Sequence, residues 1–394
     1  MATFTLRTIE PTRFGSGWIS GVLSAALGLI GLGAVLCFQF PQFLTTPEAR
    51  AIYPLPYVRA LLHLVLVAAF VLGSISVSLR RNKALGTVGV VATLVAAVLG
   101  GSGVPADDEL VAGPFLGVDW FLLNLIVYSL VFIPLERLFA RRPDQAIFRR
   151  GWRTDLTYFF VSALLVQVTT ILTLKPAMVL FDWAVHSGLQ SWVRAWPGIV
   201  QFGALLFVAD FTQYWVHRTF HTVPALWRFH AVHHSAEEMD WLAGSRLHLV
   251  DVAITRGLTY VPIYLLGFAE GPLFAYLVVV SAQATFIHAN VRFEFGALKW
   301  VVATPQFHHW HHAAHPEAID KNFAVHLPIL DAVFGTMHLP SDWPRAYGIG
   351  GGPRVPDGWL RQLWWPFRDR LRRWDREAVL PGPTAKRSYR RSRS

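Results

Sequence analysis

Apolar residues run along this chain in blocks of about the ~20 residues that a helix needs to cross hydrocarbon. Four blocks are clear: Trp18–Phe40, Val58–Leu79, Ala84–Val104 and Val118–Ala140. A fifth, Leu156–Val185, exceeds one crossing and contains Lys175-Pro176. A kinked span, or a span followed by an interfacial helix, is predicted there. Ile199–Val216 makes a sixth crossing. The weaker stretches Val250–Phe268 and Pro272–Ile287 read as a hairpin entering and leaving from one side, with Arg256 breaking the first. In lipid the backbone must satisfy its own hydrogen bonds, so every block is expected to be helical.

The polar connections suggest an orientation. Arg80, Arg81 and Lys83 separate the second and third blocks, and Arg141, Arg142, Arg149, Arg150 and Arg153 follow the fourth. The connection after the third block carries Asp107, Asp108 and Glu109 instead. Positive flanks mark the cytoplasmic side, which is where the N-terminus and the chain after Phe295 are expected. Thr3–Ser16 is polar, and the block after it is too long for a cleavable signal, so a retained first span is expected. The expected organisation is membrane helices over 1–115 and 116–200, a histidine-rich catalytic domain over 201–340, and a basic cytoplasmic tail over 341–394.

Composition agrees with lipid as the solvent: 53% of the 394 residues are hydrophobic and 15% charged, against about a quarter charged in soluble domains. The single cysteine, Cys37, excludes an intrachain disulfide and a thiolate cluster. A net charge of +10 would suit nucleic acid, but the basic residues flank apolar blocks and fill Lys386–Ser394. Anionic lipid is the expected contact, and nucleic acid is not an expected partner.

The chemistry lies in the histidines. Of 16, all but His63 and His186 fall between 217 and 338. Three clusters have ligand spacing: His217 and His221; His230, His233 and His234; His308, His311 and His312. Positions i, i+3 and i+4 share a helix face, so each cluster presents imidazoles in one direction. Eight such residues exceed the needs of one ion, and two ions are the economical reading. His288 is expected as a ninth ligand and His248 as a tenth. His309 points about 100° away from His308 and is left out. His315 precedes Pro316, where a helix is expected to end. His63, His186, His326 and His338 have no partner at ligand spacing and read as structural.

This series resembles the fatty acid hydroxylase and sterol desaturase superfamily of histidine-box membrane proteins. Asp210-Phe-Thr-Gln-Tyr214-Trp-Val-His217-Arg218, Thr304-Pro305-Gln-Phe-His308, Asp320-Lys321-Asn322-Phe323 and Asp331-x-x-Phe334-Gly335-Thr336 extend the likeness over Phe202–Met337. Ala324 departs from it, standing where a glycine is usual. The resemblance implies an all-α, polytopic transmembrane helical bundle whose cytosol-facing, histidine-rich helical cap holds a di-metal site. It also implies two iron ions, with zinc as a possible substitute, and dioxygen as co-substrate to hydroxylate or desaturate a lipid. Imidazoles do not cancel an ion's charge, so carboxylates are expected behind them. Asp210, seven residues before His217, is the first candidate; Glu237, Glu238, Asp240 and Asp251 follow. Asn290 and Asn322 are expected to bond ligand imidazoles or to cap turns.

No dinucleotide fingerprint, haem domain or iron–sulfur cysteine set is present in the sequence. A separate ferredoxin, b-type cytochrome or reductase is therefore the expected electron donor, docking on basic residues that include Arg218 and Arg228. Competing readings are a histidine-lined divalent-metal transporter, a membrane metallopeptidase and a non-catalytic metal-binding relative. A transporter would place ligands near the midplane, often with inverted repeats. A peptidase would need a glutamate base such as that of H-E-x-x-H, a motif the sequence lacks.

Overall fold

A computed structural model describes residues 19–47, 50, 54–105, 115–350 and 354–368. Thr3–Ser16, Trp18, the acidic connection at Asp107–Glu109 and the tail from Pro381 lie outside the described residues. Helices account for almost all regular structure. The described residues contain no strand, only isolated bridges between Ala140 and Val291 and between Ala313 and Tyr347.

The chain forms two compact units, residues 1–127 with 163–167, and residues 128–162 with 168–394. In the first, α1 (Ile19–Gln39), α2 (Leu55–Leu79) and α3 (Ala84–Val98) pack on one another. Lipid supplies no hydrophobic drive between such helices, so close contact of small residues takes its place. A Cβ on Gly28 would lie 2.7 Å from the Gly89 carbonyl oxygen, and the Ser24 hydroxyl donates across to the Ala69 carbonyl at 2.7 Å. Val35, Phe38, Leu62, Leu66, Ala96 and Val104 fill the core beside that seam.

α4 (Val118–Leu138) begins in the first unit and ends in the second. α5 (Trp152–Leu164) and α6 (Val166–Phe181) follow. The fifth block is indeed bent, by 61°, but at the α5–α6 break and not at Lys175-Pro176. Pro176 sits inside α6, as membrane helices permit when neighbouring groups take up the freed carbonyl. After α7 (Ser187–Arg194), helix α8 (Gly198–Thr222) packs against α10 (Leu249–Leu266) and α11 (Glu270–Phe286), with short α9 (Pro224–His230) between. Leu205, Ala209, Ile263, Phe268 and Tyr276 form the core of this trio.

Among the described residues, six helices are long and apolar enough to span a membrane: α1, α2, α3 with its 3-10 extension to Gly103, α4, α8 and α10. The bent α5–α6 pair would make a seventh. The chain is a multi-pass membrane protein. α11, at 17 residues, rises about 25 Å, enough for the returning arm of the expected hairpin.

The seam in the first unit gives a direct check. Gly28→Ala must push a backbone carbonyl away and should lower stability by about 1–3 kcal/mol. Gly103→Ala, with nothing within 4 Å of the added Cβ, should leave it unchanged. Thermal unfolding of the two variants in the same detergent reads the difference.

Candidate metal centre

The last two turns of α8 carry His217 and His221 on one face. α9 opens on Pro224 at its first position, where the missing N–H has no helical partner to lose, and ends at His230. A single 3-10 turn, His233–Ser235, follows. α12 (Pro305–His311) also opens on proline, and its N-cap Thr304 accepts the Phe307 N–H at 3.3 Å. His288 lies just past the end of α11. A Cβ on Gly244 would stand 2.9 Å from His288 Nδ1, so glycine there permits the close approach.

These elements bring nine of the ten expected ligands into two groups. His217, His221, His230, His234 and His311 form one; His233, His288, His308 and His312 form the other. Within each, one ring nitrogen per residue lies within 4.8 Å of all the others. The clusters do not each face one way. In the second and third clusters the i, i+4 pair serves one group and the residue between them serves the other. The groups adjoin: the His234 and His312 rings stack with centroids 4.4 Å apart.

Hydrogen bonds around the edge fix which nitrogens face inward. Nδ1–H donates to the Phe323 carbonyl from His217 (2.7 Å), to Asp251 from His230 (2.7 Å) and to the Lys321 carbonyl from His311 (2.8 Å). In the other group His233 donates to the Arg246 carbonyl (3.1 Å) and His288 to the Ala284 carbonyl (2.7 Å). A neutral imidazole has one N–H, so each of these five aims an Nε2 lone pair at the centre. His217 and His230 Nε2 stand 2.9 Å apart, and His233 and His288 Nε2 3.4 Å. Facing lone pairs repel unless a cation lies between them. Two metal–nitrogen bonds of about 2.1 Å at right angles would set their nitrogens about 3.0 Å apart. His221 and His311 Nε2 are buried with no hydrogen-bond partner. The donor set fits metal ions.

Seven of the nine rings are buried, while His217 and His221 are intermediate. Burial, reinforced by neighbouring imidazoles, pushes His233, His234, His308, His311 and His312 well below the ordinary histidine range. Burial lowers His288 to about 4, opposed by its bond to Ala284. These imidazoles are neutral at physiological pH, the form that binds metal. Asp251 meets His230 directly, and Asp320 approaches His221 Nδ1 at 3.5 Å.

Other expected residues stand elsewhere. His248 is in neither group: its Nδ1 accepts the Val250 N–H at the start of α10 and its Nε2 meets the Leu363 carbonyl at 3.1 Å. Asp210 does not touch an imidazole. Its carboxylate accepts the backbone N–H groups of Val325, His326 and Leu327, pinning that segment to α8. The carboxylate hydrogen-bonded to a grouped imidazole is instead that of Asp251. Asn290 exchanges hydrogen bonds with the Arg142 backbone, and Asn322 bonds the carbonyls of Phe307 and His338. Both order the chain around the ligands without contacting an imidazole. Arg218 bonds the Tyr214 hydroxyl and lies over Trp215, while Arg228 bonds the Pro366 carbonyl.

His309 Nδ1 pairs with the Tyr347 hydroxyl and its Nε2 with the His288 carbonyl, outside both groups. His315 accepts the Arg345 N–H, and His326 pairs with Gln283. Ala324 is well tolerated, because its backbone is not left-handed; Asp320 and Asn322 hold the positive φ angles. Sequence reading missed the acceptors Phe323, Lys321, Arg246 and Ala284, which act through main-chain carbonyls and leave no signature. It also missed Trp365, fully buried against Ala231 and Val232 between the second-cluster ligands.

Residues 202–336 match the fatty acid hydroxylase family. Ornithine lipid hydroxylase of Rhizobium tropici is 36% identical over 177 residues, 45% of this chain and 53% of that protein. Alkylglycerol monooxygenase of Homo sapiens is 32% identical over 160 residues, 40% of this chain and 33% of its own length. Its counterpart in Xenopus tropicalis is 31% identical over 142 residues, 36% and 31% of the two chains. The similarity thus spans about half or a third of these relatives. No solved structure matches the chain. The segment that is similar to the fatty acid hydroxylase family, residues 202–336, encloses all nine grouped histidines.

Proposed function

We propose that this protein is a membrane-bound, di-iron oxygenase that hydroxylates a polar-headed lipid. The observation that carries the reading is the pair of adjoining histidine groups with their Nε2 lone pairs converging. The fatty acid hydroxylase domain and relatives named for acting on ornithine lipid and alkylglycerol support hydroxylation over desaturation. Imidazole suits iron, and zinc in the same ligands would lack redox chemistry.

The overall change is lipid C–H plus dioxygen, two electrons and two protons, giving lipid C–OH and water. The metal pair, when bound, supplies dioxygen reduction and hydrogen abstraction. His217, His221, His230, His234 and His311 would hold one ion, and His233, His288, His308 and His312 the other. The chain's own part is to fix five of those imidazoles by their Nδ1–H bonds and to keep the buried rings neutral. Asp251 holds His230 in the tautomer that points Nε2 inward.

The substrate reading follows from depth. His217 and His221 occupy the last two turns of α8, beyond its apolar stretch Ile199–Val216. A lipid lying along α8 would therefore offer carbons close to its headgroup. Histidines at one helix end, away from mid-span, do not favour transport. The boxes are read as cytoplasmic because arginines crowd the connection after α4, and the electrons are assigned to a separate ferredoxin, b-type cytochrome or reductase.

Detergent-purified protein from iron-replete cells should contain about two iron ions per chain, and His233→Ala/His234→Ala should lose them. Membranes with the intact protein should yield lipid enlarged by one oxygen atom, absent with the variant; a metal-free wild type would refute the reading. Asp251→Asn should weaken iron binding about 10- to 100-fold, read by chelator competition, while the helical circular-dichroism signal stays unchanged.

A further inference from the structure

The two histidine groups are anchored from different parts of the chain. The five-histidine group leans on Asp251 and on the carbonyls of Lys321 and Phe323, all within residues 202–336. The four-histidine group leans on Arg246, whose carbonyl takes the His233 Nδ1–H. Arg246 is itself gripped by a buried charge cluster. Its Nε donates to Asp155 at 2.5 Å, and the other Asp155 oxygen accepts Arg149 Nη2 at 2.6 Å. The same Nη2 donates to Asp240 at 2.6 Å. All four side chains are at most 7% exposed.

The cluster reaches His288 as well. Asp240 accepts the N–H groups of Leu242 and Ala243, shaping the turn that delivers Gly244 to the His288 ring. On the other side, Glu136 at the end of α4 accepts the N–H groups of Trp241 and Asn290, at 2.7 and 2.9 Å. Within the cluster each aspartate meets at least one arginine; removing one partner leaves another uncompensated and is costly.

We propose that Arg149, Asp155, Asp240 and Arg246 are positioning residues for the four-histidine group alone. The segment spanning residues 136–155, which lies before the family domain, thereby completes one metal site and leaves the other independent of it. This inference rests on the two-ion reading above. Partner groups behind metal ligands typically contribute 10- to 100-fold to affinity, enough to empty one site selectively.

The test uses full-length, detergent-purified protein from iron-replete cells, with iron counted per chain and Mössbauer spectra recorded. Asp155→Asn should hold about one iron in place of about two and lose the magnetic coupling of the pair. His221→Ala/His234→Ala, which disables the five-histidine group, should also hold about one, and the combined variant none. Should Asp155→Asn fail to fold, Arg149→Lys keeps a cation beside Asp155. A chelator should then remove one of its two irons about 10- to 100-fold faster than from the wild type. Two irons leaving Asp155→Asn at wild-type rates would overturn the proposal, as would loss of both together from a folded variant. A wild type lacking two irons would instead remove the two-ion reading on which it stands.

Discussion

Nine imidazoles crowd their Nε2 atoms together because their other nitrogens are engaged or turned outward. In five of them the Nδ1–H is committed to an acceptor in the surrounding chain, so the inward lone pairs follow from hydrogen-bond accounting. Lone pairs about 3 Å apart in a buried place are a standing cost that water or a cation must relieve. Much of the second unit serves to hold those outward bonds. The acceptors are mostly main-chain carbonyls, placed where helices end or where chain runs between them, so the local backbone path governs where each lone pair points.

The short helices that carry grouped histidines cannot hold that geometry alone. α9 and α12 have seven residues each, well short of what is stable in isolation. Their register comes from buried polar side chains that gather backbone groups. Asp210 takes three N–H groups from residues 325–327, and Asp331 takes those of Phe323 and Ala324 together with the Thr336 hydroxyl. Asn322, in a left-handed conformation, joins the Phe307 and His338 carbonyls. The Phe323 carbonyl that orients His217 sits between these clamps, which ties the first cluster on α8 to the chain after the third.

That arrangement explains what was legible beforehand. A run of about twenty apolar residues has few fates in lipid, so the long helices could be read directly. Paired histidines four apart share a face, so eight of the nine grouped histidines were visible by spacing, and His288 by its place after an apolar stretch. His248 misled because an imidazole near a cluster looks like a ligand, and its use as a helix cap for Val250 carries no distinct spacing. Asp210 misled differently. Its helical phase relative to His217 was right, but the segment 325–327, over a hundred residues away in sequence, claims its carboxylate. The bend between α5 and α6 carries no proline, and Pro176 sits harmlessly inside α6. Main-chain acceptors cannot be read from residue identity at all.

The division of labour among the clusters has a geometric root. An i, i+4 pair on a helix differs by about 40° in direction, whereas the residue at i+3 turns about 100° from its neighbour at i+4. One H-x-x-H-H stretch can therefore feed two centres, and here His230 with His234 serves one group while His233 serves the other. His308 with His312, and His311, repeat the division in the opposite sense. Each group thereby takes histidines from both stretches. His288 and the α8 pair make the difference between the two: one group gains two histidines from a long helix, the other gains one from the turn after α11. The group with fewer histidines from long helices is also the one with an outward bond to Arg246, inside a buried cluster of charges. Where helical scaffolding is thinnest, ionic packing takes over the task of holding the ring.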